Sequence, residues 1–332
     1  MIMNISRFSF RISNMKKICF VLMIVMLACP AAAQEVYVGG GITQDTKTST
    51  ASGQWSVTYI QGFAKYAAFS FSYINEGHQP NHYRDGIAVQ VWGHKNVLNS
   101  PLSIALGIGP YVYFDTKVAP VTDAFEDAHG LGIITSATAT WYGLSPFLLQ
   151  ARLNYTLTNN SFDTLSATIG VGYLLDVPVS SDTYYKPAKV RRTTDNELTV
   201  YLGKAVLNSA KSEQNTAYSV EYRRGLGTYV DWTIAWLTEG GNSPIGRYGV
   251  TTKLWLVHPI IHDHLEFGIG VGPYLANDNV TEGHRTIVAC DVSVMAVYWF
   301  HPHIGLRAAW SRIVTDYSRD TDVFLGGLTY RF

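Results

Sequence analysis

The chain has 332 residues, with 25 basic and 25 acidic side chains, 47% hydrophobic residues and 13% aromatic residues. A balanced charge offers no basic face to nucleic acid, and three cysteines are too few to build a disulfide framework. After residue 33 no apolar run is long enough to cross a bilayer as a helix.

Residues 1–33 read as a secretory signal. Lys16 and Lys17 supply the charged segment, Ile18 to Ala28 the apolar segment, and Ala31, Ala32 and Ala33 the small residues a signal peptidase needs. Cleavage is expected before Gln34. A lipid anchor on Cys29 is the alternative, because Met26-Leu27-Ala28 fits a lipoprotein site loosely. Removal of the signal leaves 21 basic and 25 acidic residues, a mildly acidic chain.

From Gln34 onward the pattern is alternation. Phe69, Phe71 and Tyr73 point one way, with Ser70 and Ser72 between them. Leu102 to Gly109 alternates large and small, and Leu165, Ala167, Ile169, Val171, Tyr173 and Leu175 share one face. A period of two with one apolar face predicts half-buried strands. Eight such segments start near Glu35, Gln54, Tyr66, Gly86, Pro101, Leu131, Pro146 and Thr164. Eight more start near Leu198, Ala217, Val230, Gly249, Leu265, Ile287, Pro302 and Thr321.

The two sets are copies. A shift of 163 positions lays Ser56, Val57 and Tyr59 on Ser219, Val220 and Tyr222, and Glu76 and Gly77 on Glu239 and Gly240. It also lays Arg84 and Gly86 on Arg247 and Gly249, Trp92 on Trp255, and Gly107, Gly109, Pro110 and Tyr111 on Gly270, Gly272, Pro273 and Tyr274. A repeat of this kind makes each copy a structural unit. The expected domains are 34–175 and 197–332, joined by a polar linker over 176–196 that carries Pro178, Pro187 and the cluster Lys186, Lys189, Arg191 and Arg192.

Segments of about ten residues with one apolar face and short turns suit tilted membrane strands, and the abundant Tyr, Trp and Phe suit interfacial girdles. A secreted β-sandwich also alternates. The last strand favours the membrane: Phe332 is terminal, and Tyr330, Leu328 and Phe324 share its face. That ending resembles the sorting signal of bacterial outer-membrane β-barrels, and the likeness extends in pattern over the whole chain after the signal. The resemblance implies an all-β transmembrane antiparallel barrel in the outer membrane, with lipid, lipopolysaccharide and the barrel-assembly machinery as partners. Closure suits lipid because it leaves no unpaired strand edge.

Sixteen strands allow two eight-stranded barrels or one wide, pore-forming barrel. The face opposite the apolar one carries Glu221, Arg223, Asp231, Lys253, Glu266, Asp291, Arg307 and Arg331 in the second copy. Four acids and four bases can neutralise one another inside a narrow barrel. The first copy offers small residues with Gln90, Gln150, Arg152 and Asn154. The linker length also favours two barrels. With a periplasmic amino terminus, 45–53, 75–85, 115–130 and 158–163 become outer loops, as do 208–215, 238–247, 277–285 and 315–320.

Chemistry is best supported at Glu76, His78, His82, Arg84 and Asp85, a dense set of acids, bases and imidazoles fit for acid–base work or for a metal bound through the histidines. The second copy keeps only Glu239 and Arg247 of these, which points to an ion pair or turn lock. The chain resembles small OmpA-like and lipid A deacylase-like barrels in repeat size, but the deacylase His-x-Ser pair is absent, and the matching strand reads Leu306-Arg307-Ala308-Ala309-Trp310-Ser311. No Gly-x-Ser-x-Gly, phosphate loop or Cys-x-x-Cys occurs, and no cofactor or resident metal is expected. Three functions remain open: a structural, surface-binding or passive-permeation barrel; an outer-leaflet envelope hydrolase; and a secreted glycan-binding β-protein.

Overall fold

The computed structural model describes residues 34–97, 100–119, 122, 124–175, 194–227, 229–241, 245–261, 264–279 and 285–332. The expected signal (1–33) and most of the expected linker (176–193) lie outside them. Sixteen strands are present and the described residues contain no helix. The first eight are β1 (Gln34–Asp45), β2 (Ala51–Ala64), β3 (Ala67–Gln79), β4 (His82–Asn96), β5 (Leu102–Val118), β6 (Phe125–Leu144), β7 (Phe147–Thr158) and β8 (Thr164–Leu174). The second eight are β9 (Glu197–Leu207), β10 (Gln214–Gly225), β11 (Val230–Thr238), β12 (Arg247–Ile261), β13 (Leu265–Asp278), β14 (Arg285–His301), β15 (Ile304–Val314) and β16 (Thr321–Arg331).

Each set closes on itself as an antiparallel up-and-down barrel. β1 pairs with β8, with Val38 opposite Val171, and β9 pairs with β16, with Val200 opposite Leu328. A single sixteen-stranded barrel would need β8 against β9, so the wide-barrel alternative is excluded. Below, the distal end of a barrel carries the turns after β1, β3, β5 and β7, or after β9, β11, β13 and β15; the opposite end is proximal.

Side chains obey the alternation and are inverted relative to a soluble protein. Leu106 (71% exposed), Ile169 (74%) and Leu202 (66%) point outward, while Arg84, Arg223, Arg247 and Arg307 are buried in the lumens. With eight strands the lumen is just wide enough for side chains to fill it.

The duplicated residues make one local device, built twice. Trp92 lies across Gly107 on the neighbouring strand, and Trp255 lies across Gly270. Each indole N–H is held from the next strand over, by Ser70 Oγ at 2.8 Å and by Thr233 Oγ1 at 2.9 Å. Three residues along, Pro110 and Pro273 cannot donate to the ladder. There the β4–β5 pairing skips from Ala88–Tyr111 to Val91–Ile108, and the β12–β13 pairing skips from Thr251–Tyr274 to Leu254–Val271. The adjoining glycines, Gly109 and Gly272, press against the carbonyls of Val89 and Thr252, where no Cβ fits.

The distal turns differ from the expected loops. β3 and β4 continue to Gln79 and from His82, and β5 and β6 continue to Val118 and from Phe125. Most of 75–85 and 115–130 is therefore paired strand. Backbone pairing ignores hydropathy, so a polar stretch stays in the ladder once its inward side chains find partners across the lumen.

Candidate functional site

In the first barrel the candidate residues do not converge. Strand alternation turns Arg84 into the lumen and sends Asp85 out through the wall, where it accepts the Tyr73 hydroxyl at 2.5 Å. His78 follows a break in the β3–β4 register and lies exposed, its ring 4.4 Å from that of Tyr83. Its backbone N–H donates to Ser52 Oγ at 2.8 Å.

Glu76, Arg84 and His82 do stay together at the distal end. Arg84 Nε meets Glu76 Oε2 at 2.5 Å, and both side chains are almost wholly buried. Tyr111 of β5 donates to Glu76 Oε2 at 2.8 Å, and Thr164 of β8 donates to Glu76 Oε1 at 2.6 Å. Arg84 also donates to Ser161 Oγ (3.1 Å), Thr164 Oγ1 (3.2 Å) and the Phe162 carbonyl, while the Phe162 ring lies 3.8 Å from its guanidinium carbon. The cluster ties β3, β4 and β5 to the turn before β8, across the barrel mouth.

His82 Nδ1 lies 2.9 and 3.0 Å from the Asp115 oxygens, and Ser161 donates to the same carboxylate at 2.8 Å. The carboxylate stands between hydroxyl and imidazole, whereas an activated serine needs the imidazole in the middle. No group of three His, Cys, Asp or Glu among the described residues could hold a metal ion.

The second barrel repeats the cluster without histidine. Arg247 binds Glu239 through two parallel contacts, Nε to Oε1 and Nη2 to Oε2, both 2.6 Å. Thr321 donates to Glu239 and accepts from Arg247 at 2.6 Å, and Arg247 Nη1 reaches the Arg319 carbonyl at 3.1 Å. Tyr274, the counterpart of Tyr111, is wholly buried and donates to the Leu237 carbonyl at 3.2 Å. Asp278 accepts from Tyr317 (2.6 Å) and pairs with Arg319 (3.2 Å).

The eight charged residues expected inside this barrel form two linked groups. Arg223 contacts Asp231 (2.6 Å), Glu266 (2.8 Å) and Glu197 (3.0 Å), and Arg331 bridges Glu197 (2.9 Å) and Glu266 (3.1 Å). Lys253 contacts Asp291 (3.1 Å) and lies 4.0 Å from Glu221, which takes Arg307 at 2.8 Å. Arg331 stacks 3.7 Å over Trp299. Glu197 was missed by the sequence reading because it opens β9 beside the polar linker; its repeat counterpart Glu35 was the available signal. Tyr111, Thr164 and Asp115 were missed as partners of Glu76, Arg84 and His82, although Tyr111 and Thr164 recur in the second copy.

The first lumen is braced by one arginine among neutral partners. Arg152 of β7 reaches Asn154 (2.8 Å), Thr58 of β2 (3.0 Å) and Gln90 of β4 (2.6 Å), with its guanidinium 5.1 Å from the Trp92 ring. Gln90 continues to Ser136 (3.0 Å), Ser136 to Asn154 (2.7 Å) and Asn154 to Ser166 (3.0 Å), and Gln150 donates to Thr140 at 3.0 Å.

Among the described residues the remaining histidines join no group able to hold a metal ion. His264 Nδ1 lies 3.1 Å from the Trp299 carbonyl, and the His303 N–H donates to His301 Nδ1 at 3.2 Å. His262 lies outside the described residues. At the carboxyl terminus, Leu328, Tyr330 and Phe332 all face outward and exposed.

No family model matches the chain, and no curated protein matches it. Solved structures similar to it include the N-terminal β-barrel domain of Pseudomonas aeruginosa OprF, at 13% identity over 44% of this chain and 99% of that one, with a TM-score of 0.36. Neisserial surface protein A is similar at 10% identity over 42% of this chain and 95% of that one, with a TM-score of 0.34. The CymD monoaromatic hydrocarbon channel is similar at 10% identity over 92% of each chain, with a TM-score of 0.25.

Proposed function

We propose that the chain is an integral outer-membrane protein with a structural or surface-binding role, and that both of its barrels are sealed. The observation that carries this reading is the inverted surface. Exposed Leu, Ile, Val, Phe and Tyr girdle each barrel, while the polar and charged side chains turn into the lumens, ion-paired in the second barrel and hydrogen-bonded around Arg152 in the first. Water would penalise that arrangement and hydrocarbon stabilises it. The secreted glycan-binding reading lacks the polar exterior it needs.

Within this reading, lipid and lipopolysaccharide surround the apolar girdle. The assembly machinery engages the outward ridge Leu328, Tyr330 and Phe332, and signal cleavage falls near Ala33. Passive permeation is disfavoured because Arg152, Gln90 and Thr58 join opposite walls of the first lumen, and the Arg223 and Arg307 networks fill the second. The hydrolase reading gains nothing from the geometry, since Glu76 and Arg84 occupy one another and His82 is held by Asp115.

Envelope fractionation joined to planar-bilayer recording tests the proposal. The expected result is recovery in the outer membrane, release only by detergent, and no conductance steps of porin size. A chain that stays monomeric in water without detergent overturns the membrane reading. Porin-sized steps overturn the sealed lumens while leaving the membrane reading intact.

A further inference from the structure

Most inward polar groups of the two lumens find partners; among the described residues those that do not include Thr43, Gln54 and Tyr113 of the first barrel and a row of the second. Glu221 on β10 faces Thr199 on β9, Thr199 faces Thr329 on β16, Thr329 faces Gly305 on β15, and Gly305 faces Trp299 on β14. These five residues form one continuous cross-strand row pointing inward. Thr199 Oγ1, Thr329 Oγ1 and Trp299 Nε1 are buried and make no hydrogen bond to protein atoms, and the Trp299 and Thr329 side chains both close over Gly305. Arg307, two residues along β15 from Gly305 in the adjacent inward row, leaves Nε and Nη1 without a hydrogen-bond partner while buried to 1% exposure, its guanidinium carbon 5.9 Å from the Tyr201 ring and 5.7 Å from the Trp255 ring. Its Nη2 is used, at 2.8 Å from Glu221 and 2.7 Å from Met295 Sδ.

The first barrel treats the equivalent row differently. There Thr58, Tyr37, Gly172 and Leu148 stand opposite one another, and Tyr37, Leu148 and Leu174 pack as an apolar cluster. The second barrel has polar groups where the first has a greasy plug. Buried polar atoms without a protein partner cost about 1–3 kcal/mol each, so five of them in two adjacent inward rows call for an occupant that satisfies them.

We propose that this row, capped by Arg307, is a built site for ordered water. The chemistry selects the occupant. Arg307 and Trp299 only donate and the threonines do both, so the occupant must accept, and one that can also donate to a threonine completes the set. A water molecule with two to four polar partners does so. An anion is disfavoured because Arg307 already faces Glu221, and the wider lumen holds five carboxylates, Glu197, Glu221, Asp231, Glu266 and Asp291, against Arg223, Lys253, Arg307 and Arg331. The site hydrates the Arg307–Glu221 pair from within a lumen sealed to bulk solvent.

Met295 supplies the readout. It is the only methionine after residue 33, it is 1% exposed, and its sulfur touches Arg307. The full chain, refolded in detergent, is irradiated with brief X-ray pulses in H2(18)O and analysed by mass spectrometry, and a parallel sample is treated with hydrogen peroxide. Radiolysis of a bound water oxidises its immediate neighbour, whereas peroxide must arrive from bulk solvent. The expected result is oxygen-18 on Met295 after X-rays and no peroxide oxidation. Absence of X-ray labelling overturns the site. Oxidation by both agents overturns it too, because Met295 is then open to bulk solvent, and it also speaks against sealed lumens. In the Thr199→Val, Thr329→Val double variant, folding being checked by heat-modifiable gel migration, labelling should fall about fivefold or more. Undiminished labelling in that variant overturns the assignment to this row. A bromide peak beside Arg307 Nε in anomalous diffraction overturns water in favour of a halide.

Discussion

Arg247→Met tests whether the repeated Glu–Arg cluster is a structural lock. The substitution removes two contacts of 2.6 Å to Glu239, one of 2.6 Å to Thr321 and one of 3.1 Å to the Arg319 carbonyl. It leaves Glu239 with no exposed surface and no cation. Charge centres about 4 Å apart at an effective dielectric near 20 attract by about 4 kcal/mol. Breaking one side of a buried pair costs about 3–5 kcal/mol, and the two figures agree. Removing both charges together avoids the stranded carboxylate, so Glu239→Leu with Arg247→Met should cost less than Arg247→Met alone. Urea unfolding in detergent micelles, followed by tryptophan fluorescence, measures both. Arg84→Met in the first barrel should fall in the same range, because Glu76, Thr164 and the Phe162 carbonyl stand where Glu239, Thr321 and the Arg319 carbonyl stand. A single-variant cost below about 1 kcal/mol, or a double cost equal to the sum of the singles, refutes the lock.

Other outcomes follow from the same geometry. Gly109→Ala and Gly272→Ala each drive a methyl into a backbone carbonyl and should cost about 2 kcal/mol or more, while Gly326→Ala, with open space around it, should be near neutral in the same unfolding assay. Leu106→Arg or Ile169→Arg places a charge on the apolar girdle and should cost about 2–4 kcal/mol in lipid vesicles, and neutrality there would argue that these residues do not meet hydrocarbon. Burial, opposed by the Arg247 guanidinium and reinforced by the hydrogen bond to Asp278, holds the Tyr317 phenol above its ordinary value. A raised folded-state value gives stability that is complete below the unfolded phenol's pKa, about 10, and lost as pH climbs through the folded one. Tyr317→Phe should therefore flatten the fall in stability above about pH 10, and an unchanged alkaline limb removes Tyr317 as its source.

Strand identity was legible because apolar faces alternate through Phe69 to Tyr73 and Leu165 to Leu175. The lumen charges were legible for the same reason: Arg223 and Arg307 occupy the parity opposite the girdle, and they meet Asp231 and Glu221. Clustering along the chain misled at 76–85. There alternation divides Arg84 from Asp85, and a break in register frees His78. Proximity in a strand means little when every second residue leaves through the other wall. The long β5 and β6 strands were hidden for a related reason. Polar residues interrupt their distal ends, yet Asp115 and Thr116 stay in the ladder with partners at His82, Ser161 and Asp127. The row containing Thr199 and Thr329 could not be read at all, since its members become neighbours only when β9 and β16 meet.

The closure of each barrel upon itself is tested most directly by paired cysteines in a chain with Cys290→Ser. Val38→Cys with Val171→Cys spans the β1–β8 seam, where the two residues are register partners that both face outward. Val171→Cys with Val200→Cys spans the β8–β9 seam that a wide barrel would form. A short bismethanethiosulfonate reagent added to the folded protein should bridge the first pair rapidly. Efficient bridging of the second pair, with none at the first, would contradict two closed barrels.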